Sequence, residues 1–423
     1  MRIDTLLVEN FKGFARRELS FHPQFNLVVG ENGTGKTSVL DALSVAAGLW
    51  IWLLGVGRYE DSRRIRNEDV RLQSFVEESG VHWERQFPCS VEVRGEIAGE
   101  TLRWRRRLKR ANAPRSGASR EVRALAERVG KQVQEGARVV LPLIGYYGTG
   151  RLSGVPLKQT VVSGETLPTE KSSRLTGYEH SVDRRLSVRA FVAWIARQSW
   201  LAFQQGGKAT SAYEAVRAAL VRNVQDARDV SFDAKLGEVV VEFEGGERQP
   251  FGNLSDGQRS MLALVGDVAQ RAATLNPHLN GRVLEETPGV VLIDELDLHL
   301  HPKWQRHVIE DLRSTFPAIQ FICTTHSPFL IQSLRSGEEL VMLDGQPTAQ
   351  LGNLSVEDIA RGIQGVANPE VSARYEEMKG VARGYLETLE EAAKAPEDKL
   401  AAYEQRLAES VAPYAERVSS ASG

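Results

Sequence analysis

Short apolar runs near the start of the chain predict strands. They cover residues 3–8, 19–21 and 25–29, and polar or turn-forming residues separate them. The last run leads through the glycine-rich segment 30–37 into an apolar helix that begins near Ser38. A strand, a glycine-rich turn and a helix in this order predict a phosphate-binding loop, because the turn aims backbone N–H groups at an anion.

The pattern in the rest of the chain predicts an α/β protein. Alternating positions and uninterrupted apolar runs predict further strands within 91–108, 139–147, 230–232, 239–243, 290–293 and 319–323. Helical spacing predicts helices within 115–136 and 186–225, a helix that ends near 275, another at 302–314, and a polar helical region after residue 344. Residues 151–185 are rich in loop-forming residues.

One apolar stretch, residues 45–57, is shorter than the roughly 20 residues that a membrane span needs. It continues the helix after the glycine-rich turn, so we expect a buried core helix. The N-terminus lacks the basic and then apolar layout of a signal peptide. With a net charge of −2 and two cysteines among 423 residues, the chain is expected to be cytoplasmic and not attached to a membrane.

The glycine-rich segment reads GENGTGKT and fits the phosphate-loop pattern at every fixed position. Its glycines let backbone N–H groups wrap a β-phosphate, Lys36 reaches the β- and γ-phosphates, and the Thr37 hydroxyl ligates Mg²⁺. The nucleotide-binding residues expected here are Gly30, Asn32, Gly33, Thr34, Gly35, Lys36, Thr37 and Ser38. The expected cofactors are therefore ATP and Mg²⁺.

Two carboxylates end the apolar run 290–293. Asp294 is expected to hold Mg²⁺ together with Thr37, often through water, and Glu295 to polarise the attacking water. Adjacent carboxylates are costly to bury without a cation, which favours this interpretation over an ordinary strand end. His326 closes the next apolar strand, and a histidine there is expected to hydrogen-bond the γ-phosphate.

A second helix start of unusual chemistry lies at 253–264, NLSDGQRSMLAL. Small polar residues and a glycine before an apolar helix aim N–H groups at an anion. The segment resembles the signature motif of ABC ATPases. In that family the signature of one subunit covers the γ-phosphate held by another, which implies an ATP-dependent homodimer or higher oligomer. The resemblance adds four nucleotide-binding residues, namely Ser255, Gly257, Gln258 and, in the D-loop that crosses the dimer seam, Asp297.

The N-terminal sequences IDTLLVENFKGFARRELSF and NLVVGENGTGKTSVLDAL resemble the SMC, RecF and OLD-like branch of that family. That branch places the turn containing Lys12 near the adenine and ribose. Three further segments, NLSDGQRSMLALVGDVAQRAATLNP, VVLIDELDLHLHPKWQRHVIEDLRSTFPAIQFICTTHSPFL and PLIGYYGTGRL, are similar to PtuA-like ATPases of Septu anti-phage systems, whose relatives occur as retron effectors. The resemblance implies an ATPase that regulates an HNH nuclease partner in anti-phage defence.

The resemblance also implies a fold. It is an α/β ABC-ATPase head with a mixed sheet that carries the phosphate loop, an antiparallel β subdomain, a helical insertion and a C-terminal helical region. The expected domains are 1–150 for lobe I with the phosphate loop and β subdomain, 151–250 for the helical insertion and hairpin, 251–345 for lobe II with the signature, Walker B and switch histidine, and 346–423 for the C-terminal helices.

Other assignments stay open in the sequence. The Q-loop residue is either Gln86 or part of the turn 146–151, and the basic segment 103–110 either contacts DNA or forms a solvated edge strand. His299 and His301 do not complete a metal-ligand set and are better explained as part of the nucleotide-site loop. DNA and retron components are further candidate partners.

No D-x-D motif occurs in the chain, so no intrinsic nuclease is expected. Two alternatives to a defence ATPase remain. One is a DNA-repair or chromosome-handling ATPase of the RecF or SMC type. The other is a transporter subunit, which the N-terminal pattern disfavours.

Overall fold

The computed structural model describes residues 1–56, 63–77, 80–111, 119–151, 173–184, 188–344 and 355–362, and single positions beyond. The chain divides into two units, Met1–Val356 and Glu357–Gly423. Of the second unit, residues 357–362 are described as part of one helix. The rest of the predicted C-terminal helical region lies outside the described residues, apart from the single positions.

The strands are β1 (Arg2–Phe11), β2 (Phe14–Ser20), β3 (Phe25–Val29), β4 (Leu72–Glu77), β5 (Gly80–Arg85), β6 (Cys89–Ile97), β7 (Glu100–Leu108), β8 (Leu143–Tyr147), β9 (Ala227–Asp233), β10 (Glu238–Phe243), β11 (Arg248–Pro250), β12 (Gly289–Ile293), β13 (Ile319–Thr324) and β14 (Leu340–Met342). The helices are α1 (Lys36–Leu53), α2 (Arg120–Gln134), α3 (Val188–Gln204), α4 (Ser211–Asn223), α5 (Asp256–Leu275), α6 (Val283–Glu286), α7 (Pro302–Gln305), α8 (Val308–Thr315), α9 (Pro328–Gln332) and α10 (Val356–Gly362).

A parallel sheet of five described strands carries the site. Its order is β14-β3-β13-β12-β8, and all four pairings are parallel. The apolar runs that form β3, β8, β12 and β13 are buried along their whole length, as expected for strands covered on both faces. Because the strands are parallel, the segments that follow them meet at one edge of the sheet.

Antiparallel strands form a second layer. β1 pairs with β2 and β6, and β6 pairs with β7, which gives the order β2-β1-β6-β7. A further antiparallel sheet has the order β11-β10-β9. The predicted α/β class is therefore confirmed, with the parallel and antiparallel strands divided between separate sheets.

Helix α1 lies between the two layers. It contacts β12 and β13 on one side and β6 and β7 on the other, and the indole of Trp104 on β7 donates to the carbonyl of Ala46 at 3.1 Å. The helix is long and apolar enough to cross a membrane, but 78% of its 18-residue window is buried inside the protein. The predicted buried core helix is confirmed for residues 45–51, and residue 57 lies outside the described residues.

Three predicted elements differ from the structure. The predicted helix 302–314 is divided into α7 and α8, with residues 306 and 307 between them. Strand β2 begins at Phe14 instead of residue 19, because residues 14–20 pair with β1 while most of their side chains face solvent. The predicted helical stretch 186–225 is broken into α3 and α4. Gly206 and Gly207 follow α3 with positive φ values of 69° and 88°, which only glycine adopts without strain.

Candidate functional site

The phosphate-loop segment forms a turn between β3 and α1. Gly33 and Gly35 have φ values of 86° and 101°, and Gly35 precedes the first turn of α1 without a side-chain cap. The N–H groups of that turn are therefore not satisfied by a capping side chain and can face an anion. A Cβ atom on Gly35 would lie 2.6 Å from the ring of Phe14 at the start of β2, and the φ of 101° would strain any other side chain there.

Lys36 turns back over this loop. Its ammonium group donates to the carbonyls of Gly30 and Glu31 at 2.7 and 2.9 Å. Burial lowers the pKa of Lys36, and the nearby carboxylates of Asp344, Asp294 and Glu295 oppose that shift. A partly buried cation at the first turn of α1 is suited to an anionic ligand.

Thr37 and Asp294, which are 257 residues apart in sequence, are in direct contact. The Thr37 hydroxyl donates to the two oxygens of the Asp294 carboxylate at 3.2 and 3.0 Å. The hydroxyl of Thr324, at the end of β13, donates to the same carboxylate at 2.7 Å. Asp294 is 3% exposed, so this is a buried cluster of oxygen donors of the kind that binds Mg²⁺.

Glu295 follows Asp294 in an unusual backbone conformation. Its φ is 50°, a left-handed value that residues other than glycine rarely adopt. Its N–H donates to the Thr324 hydroxyl at 2.7 Å, and its carbonyl accepts from the Arg151 guanidinium. The side chain is half-buried, and its charge acts on the pKa of Lys36.

His326 and Asp297 lie on the neighbouring loops. His326 follows β13, which pairs with β12, and it is exposed at the edge of the sheet. The hydroxyl of Thr325 donates to the Asp297 carboxylate, so the two loops are joined within one chain. The structure thus brings Asp297 and His326 onto adjoining loops at the edge where Asp294 lies.

The signature-like segment begins α5. The Ser255 hydroxyl accepts from the N–H of Gln258 at 3.3 Å, and the Gln258 side chain accepts from the N–H of Ser255 at 3.0 Å. Ser255 and Asp256 are exposed, although most of the helix that they begin is buried. Gly257 packs against the loop after β12, because a Cβ atom there would lie 2.7 Å from the carbonyl oxygen of His299.

Lys12 contacts α1 one turn beyond Thr37. Its ammonium group bonds to the carboxylate of Asp41, which also accepts from Arg184 and, at 3.0 Å, from the hydroxyl of Tyr146. Burial works to raise the pKa of Asp41, but the bonds from Arg184 and Lys12 outweigh it and hold that pKa below its ordinary value. Lys12 and Arg184 line a cavity of about 730 Å³ beside this cluster.

The turn after β8 lies against the Asp294–Glu295 segment. β8 pairs with β12, and Arg151 from that turn donates to the backbone of both carboxylate residues. Gln86 instead donates from its N–H to the carbonyl of Arg71 next to the β4–β5 hairpin. Of the two Q-loop candidates, the turn 146–151 is therefore the one in contact with the site.

The basic segment forms β7 and the residues after it. Trp104 is buried, which removes its ring from contact with bases. Arg103 and Arg105 pair with Glu92 on β6, as on a solvated sheet face. These contacts favour the interpretation of the segment as a solvated edge strand, and DNA binding there stays a prediction.

The two histidines after Glu295 do not form a metal site in the structure. His301 caps α7 by accepting from the N–H of Lys303, and His299 is exposed with a φ of 65°. Among the described residues, no group of three or more histidine, cysteine and acidic side chains could hold a metal ion.

Three charged residues were not assigned individual roles from the sequence, although Arg151 ends the turn 146–151 that is one of the two Q-loop candidates. They are Asp41, Arg151 and Arg184, of which Asp41 and Arg151 are buried. Asp41 stands within the apolar helix α1, and a lone carboxylate in such a run is a usable signal because its burial requires partners. No comparable local pattern marks Arg151 or Arg184, whose partners come from distant segments.

Family models match most of the first unit. The description "AAA domain, putative AbiEii toxin, Type IV TA system" covers residues 155–332, and "AAA domain" covers residues 5–178. The chain is 23% identical over 385 residues to the retron Vc95 probable ATPase of Vibrio cholerae serotype O1 biovar El Tor, covering 79% of this chain and 72% of that protein.

Shorter matches have higher identity. The retron Ec83 probable ATPase of Escherichia coli is 47% identical over 93 residues, which is 22% of this chain and 17% of that protein. Septu protein PtuA of Bacillus mycoides is 39% identical over 94 residues, or 22% and 12%. A solved SMC head bound to the C-winged helix domain of ScpA aligns with a TM-score of 0.46 and 15% identity over 81% of this chain and 94% of that chain.

Proposed function

We propose that this chain binds ATP with Mg²⁺ and hydrolyses the bond between the β- and γ-phosphates. It is a relative of the probable ATPases of retrons and of Septu protein PtuA. The observation that carries the proposal is the contact between Thr37 and Asp294. It joins the helix after the phosphate loop to the end of a buried strand, with Lys36 one residue away. A hydroxyl and a carboxylate in contact beside a phosphate loop are the Mg²⁺ ligands of phosphate-loop ATPases.

Each residue then has a defined task. The N–H groups of the loop and the ammonium group of Lys36 bind the phosphates, and Lys36 exchanges its carbonyl partners for phosphate oxygens. Thr37 and Asp294 would hold the Mg²⁺ ion, which neutralises phosphate charge when bound. Thr324 keeps the Asp294 carboxylate oriented through its 2.7 Å hydrogen bond.

Glu295 is the proposed general base, because it adjoins Asp294 and is half-buried at the same sheet edge. A carboxylate within reach of a bound water can accept its proton as the water attacks the γ-phosphate. His326, exposed on the neighbouring loop, is proposed to hydrogen-bond the γ-phosphate.

We also propose that two chains close around ATP. Support comes from Ser255 and Asp256, which are exposed at the start of a largely buried helix, and from the capping box that orients Ser255. An exposed serine and a helix N-terminus are suited to a γ-phosphate presented by a second copy. Asp297, tied to Thr325, is proposed to lie at the same seam.

The partner of this ATPase is proposed to be an HNH nuclease, which the resemblance of the sequence to PtuA-like ATPases implies, and a Septu protein PtuA is among the relatives that the chain matches. Head closure changes the surface that such a partner would contact. Equilibrium coupling of this kind is typically on the order of 1–3 kcal/mol, so nucleotide is expected to change partner affinity by about 5–150-fold.

The test of nucleotide binding is Lys36→Ala. Removing the ammonium group leaves the phosphate charge without its cation, so the affinity for Mg²⁺-ATP measured by calorimetry should fall below detection. Lys131→Ala, which removes an exposed lysine on α2, is the matched control and should leave the affinity unchanged. ATP affinity in Lys36→Ala equal to that of the parent would refute the assignment of the phosphate loop.

A further inference from the structure

Arg151 is a buried arginine with an unusual set of partners. It is 3% exposed, and one terminal nitrogen donates to the carbonyl of Asp294 at 3.0 Å. Both terminal nitrogens approach the carbonyl of Glu295, at 3.4 and 3.3 Å, and Nε donates to the hydroxyl of Ser260 at 3.0 Å. A single guanidinium group thus joins the turn after β8, the end of β12 and helix α5.

Such a cation is expensive to bury. Within the described part of the chain, its hydrogen-bond partners are carbonyls and a hydroxyl rather than a carboxylate. Burial accordingly lowers the pKa of Arg151, and the carboxylates of Asp297, Glu295 and Asp294 act against that shift. An apolar side chain would fill the same space without the desolvation penalty, so the geometry of the hydrogen bonds is what the arginine supplies.

That geometry acts on the residue with the strained backbone. Glu295 has a φ of 50°, and such a conformation persists only where the surroundings fix it. On one side, the N–H of Glu295 donates to the Thr324 hydroxyl at 2.7 Å. Arg151 holds its carbonyl from the other side, so the direction in which the Glu295 side chain leaves the backbone depends on both.

The hydrogen bond to Ser260 links Arg151 to α5, the helix that begins at the signature-like segment. Ser260 is buried on α5, little more than one turn after Ser255 begins that helix. Gly257 of the same turn packs directly on the carbonyl of His299. The start of α5 and the loop after Glu295 are therefore in contact at two points, one through backbone packing and one through Arg151.

We propose that Arg151 is a positioning residue for ATP hydrolysis. It fixes the backbone of Glu295 and ties it to helix α5. The position of the general base therefore depends on the helix that begins at the signature-like segment. This inference rests on the proposed role of Glu295. Arg151 is 3% exposed and bonds to the Asp294 and Glu295 carbonyls and the Ser260 hydroxyl, so its proposed action is through Glu295.

The test compares Arg151→Lys with the parent enzyme. A lysine keeps the charge but cannot donate to two carbonyls and a hydroxyl at once, so Glu295 loses its fixed direction. We expect kcat for ATP to fall by about 10- to 100-fold, the range that a misplacement of about 1 Å produces, while KM stays close to the parent value. Ser260→Ala, which removes only one acceptor, should lower kcat in the same direction by less.

Arg174→Lys is the matched control. Arg174 also donates to carbonyls, those of Val139, Leu275 and Ala137, but away from the site. Its replacement should change thermal stability without changing kcat. If Arg174→Lys lowers kcat as much as Arg151→Lys does, the effect of Arg151 is a general loss of packing and the proposal is wrong.

A double variant separates positioning from stability. If Arg151 acts through Glu295, then Arg151→Lys should have almost no further effect on turnover in a Glu295→Gln background. A purely structural role would slow both backgrounds by the same factor, and that result would overturn the proposal. Normal turnover in Glu295→Gln alone would instead refute the proposed general base, whereas slow Glu295→Gln with normal Arg151→Lys would refute only the role of Arg151.

Discussion

Gly257 shows how the absence of one side chain brings two segments of the site together. The residue lies in the first turn of α5, and its Cα faces the carbonyl oxygen of His299. His299 itself has a φ of 65°, a left-handed value that residues other than glycine rarely adopt. The approach of α5 to the loop after Glu295 therefore requires glycine at this position.

Gly257→Ala should destabilise the protein even though alanine favours a helix. The new Cβ atom would lie 2.7 Å from the His299 carbonyl, and relief of such overpacking typically costs about 1–3 kcal/mol. The control is Gly130→Ala in the middle of α2, where the nearest atom is 3.9 Å from the new Cβ. That change should stabilise by about 0.5–1 kcal/mol. Urea unfolding gives the free energy of unfolding of both variants. A Gly257→Ala variant that is more stable than the parent would show that the loop containing His299 moves away freely.

At the scale of elements, the phosphate loop and α1 could be predicted because their pattern is local. The strand, the glycines and the apolar helix lie within consecutive residues, and the structure has them at β3, 30–35 and α1. Strands β12 and β13 were predicted equally well, because uninterrupted apolar runs mark strands buried on both faces.

Elements without a buried face were harder to predict. The β4–β5 hairpin was missed, since almost every side chain in it is exposed, including Val76 and Trp83, and no alternation distinguishes an inner face. The Asp41 cluster was missed for another reason. Its members Lys12, Tyr146 and Arg184 come from three separate segments, and no sequence pattern links them.

That cluster anchors α1 and gives the protein a measurable pH dependence. The pKa of Asp41 is lowered in the folded protein, so its contribution to stability is complete above its unfolded pKa and is lost as pH falls through the folded pKa. Asp41→Asn should reduce the free energy of unfolding by about 2–3 kcal/mol at neutral pH. The difference between parent and variant should shrink below about pH 4.

Urea unfolding at about pH 7 and about pH 3 tests this expectation. Glu127→Gln, an exposed carboxylate on α2, is the matched control and should leave the free energy of unfolding nearly unchanged at both values. A difference between the parent and Asp41→Asn that is equally large at both pH values would mean that the bonds from Lys12 and Arg184 do not depend on the charge of Asp41.

At the scale of the whole molecule, the resemblance predicted from the sequence to PtuA-like and retron ATPases is confirmed by the relatives that the chain matches. The parallel sheet explains how the residues of the proposed ATP site come together. Its strands bring the phosphate loop, Asp294, the loop of His326 and the turn of Arg151 to one edge from four parts of the chain. The dimer and the nuclease partner remain proposals that depend on this edge.

ATP turnover by Glu295→Gln tests the central claim most directly. The change keeps the size of the side chain but removes the carboxylate that accepts a proton, so the variant should bind ATP like the parent and hydrolyse it at least about 10²-fold more slowly. Glu285→Gln, an exposed residue on α6, should turn over ATP at the parent rate. Turnover by Glu295→Gln equal to that of the parent would contradict the account, because the general base would then lie elsewhere.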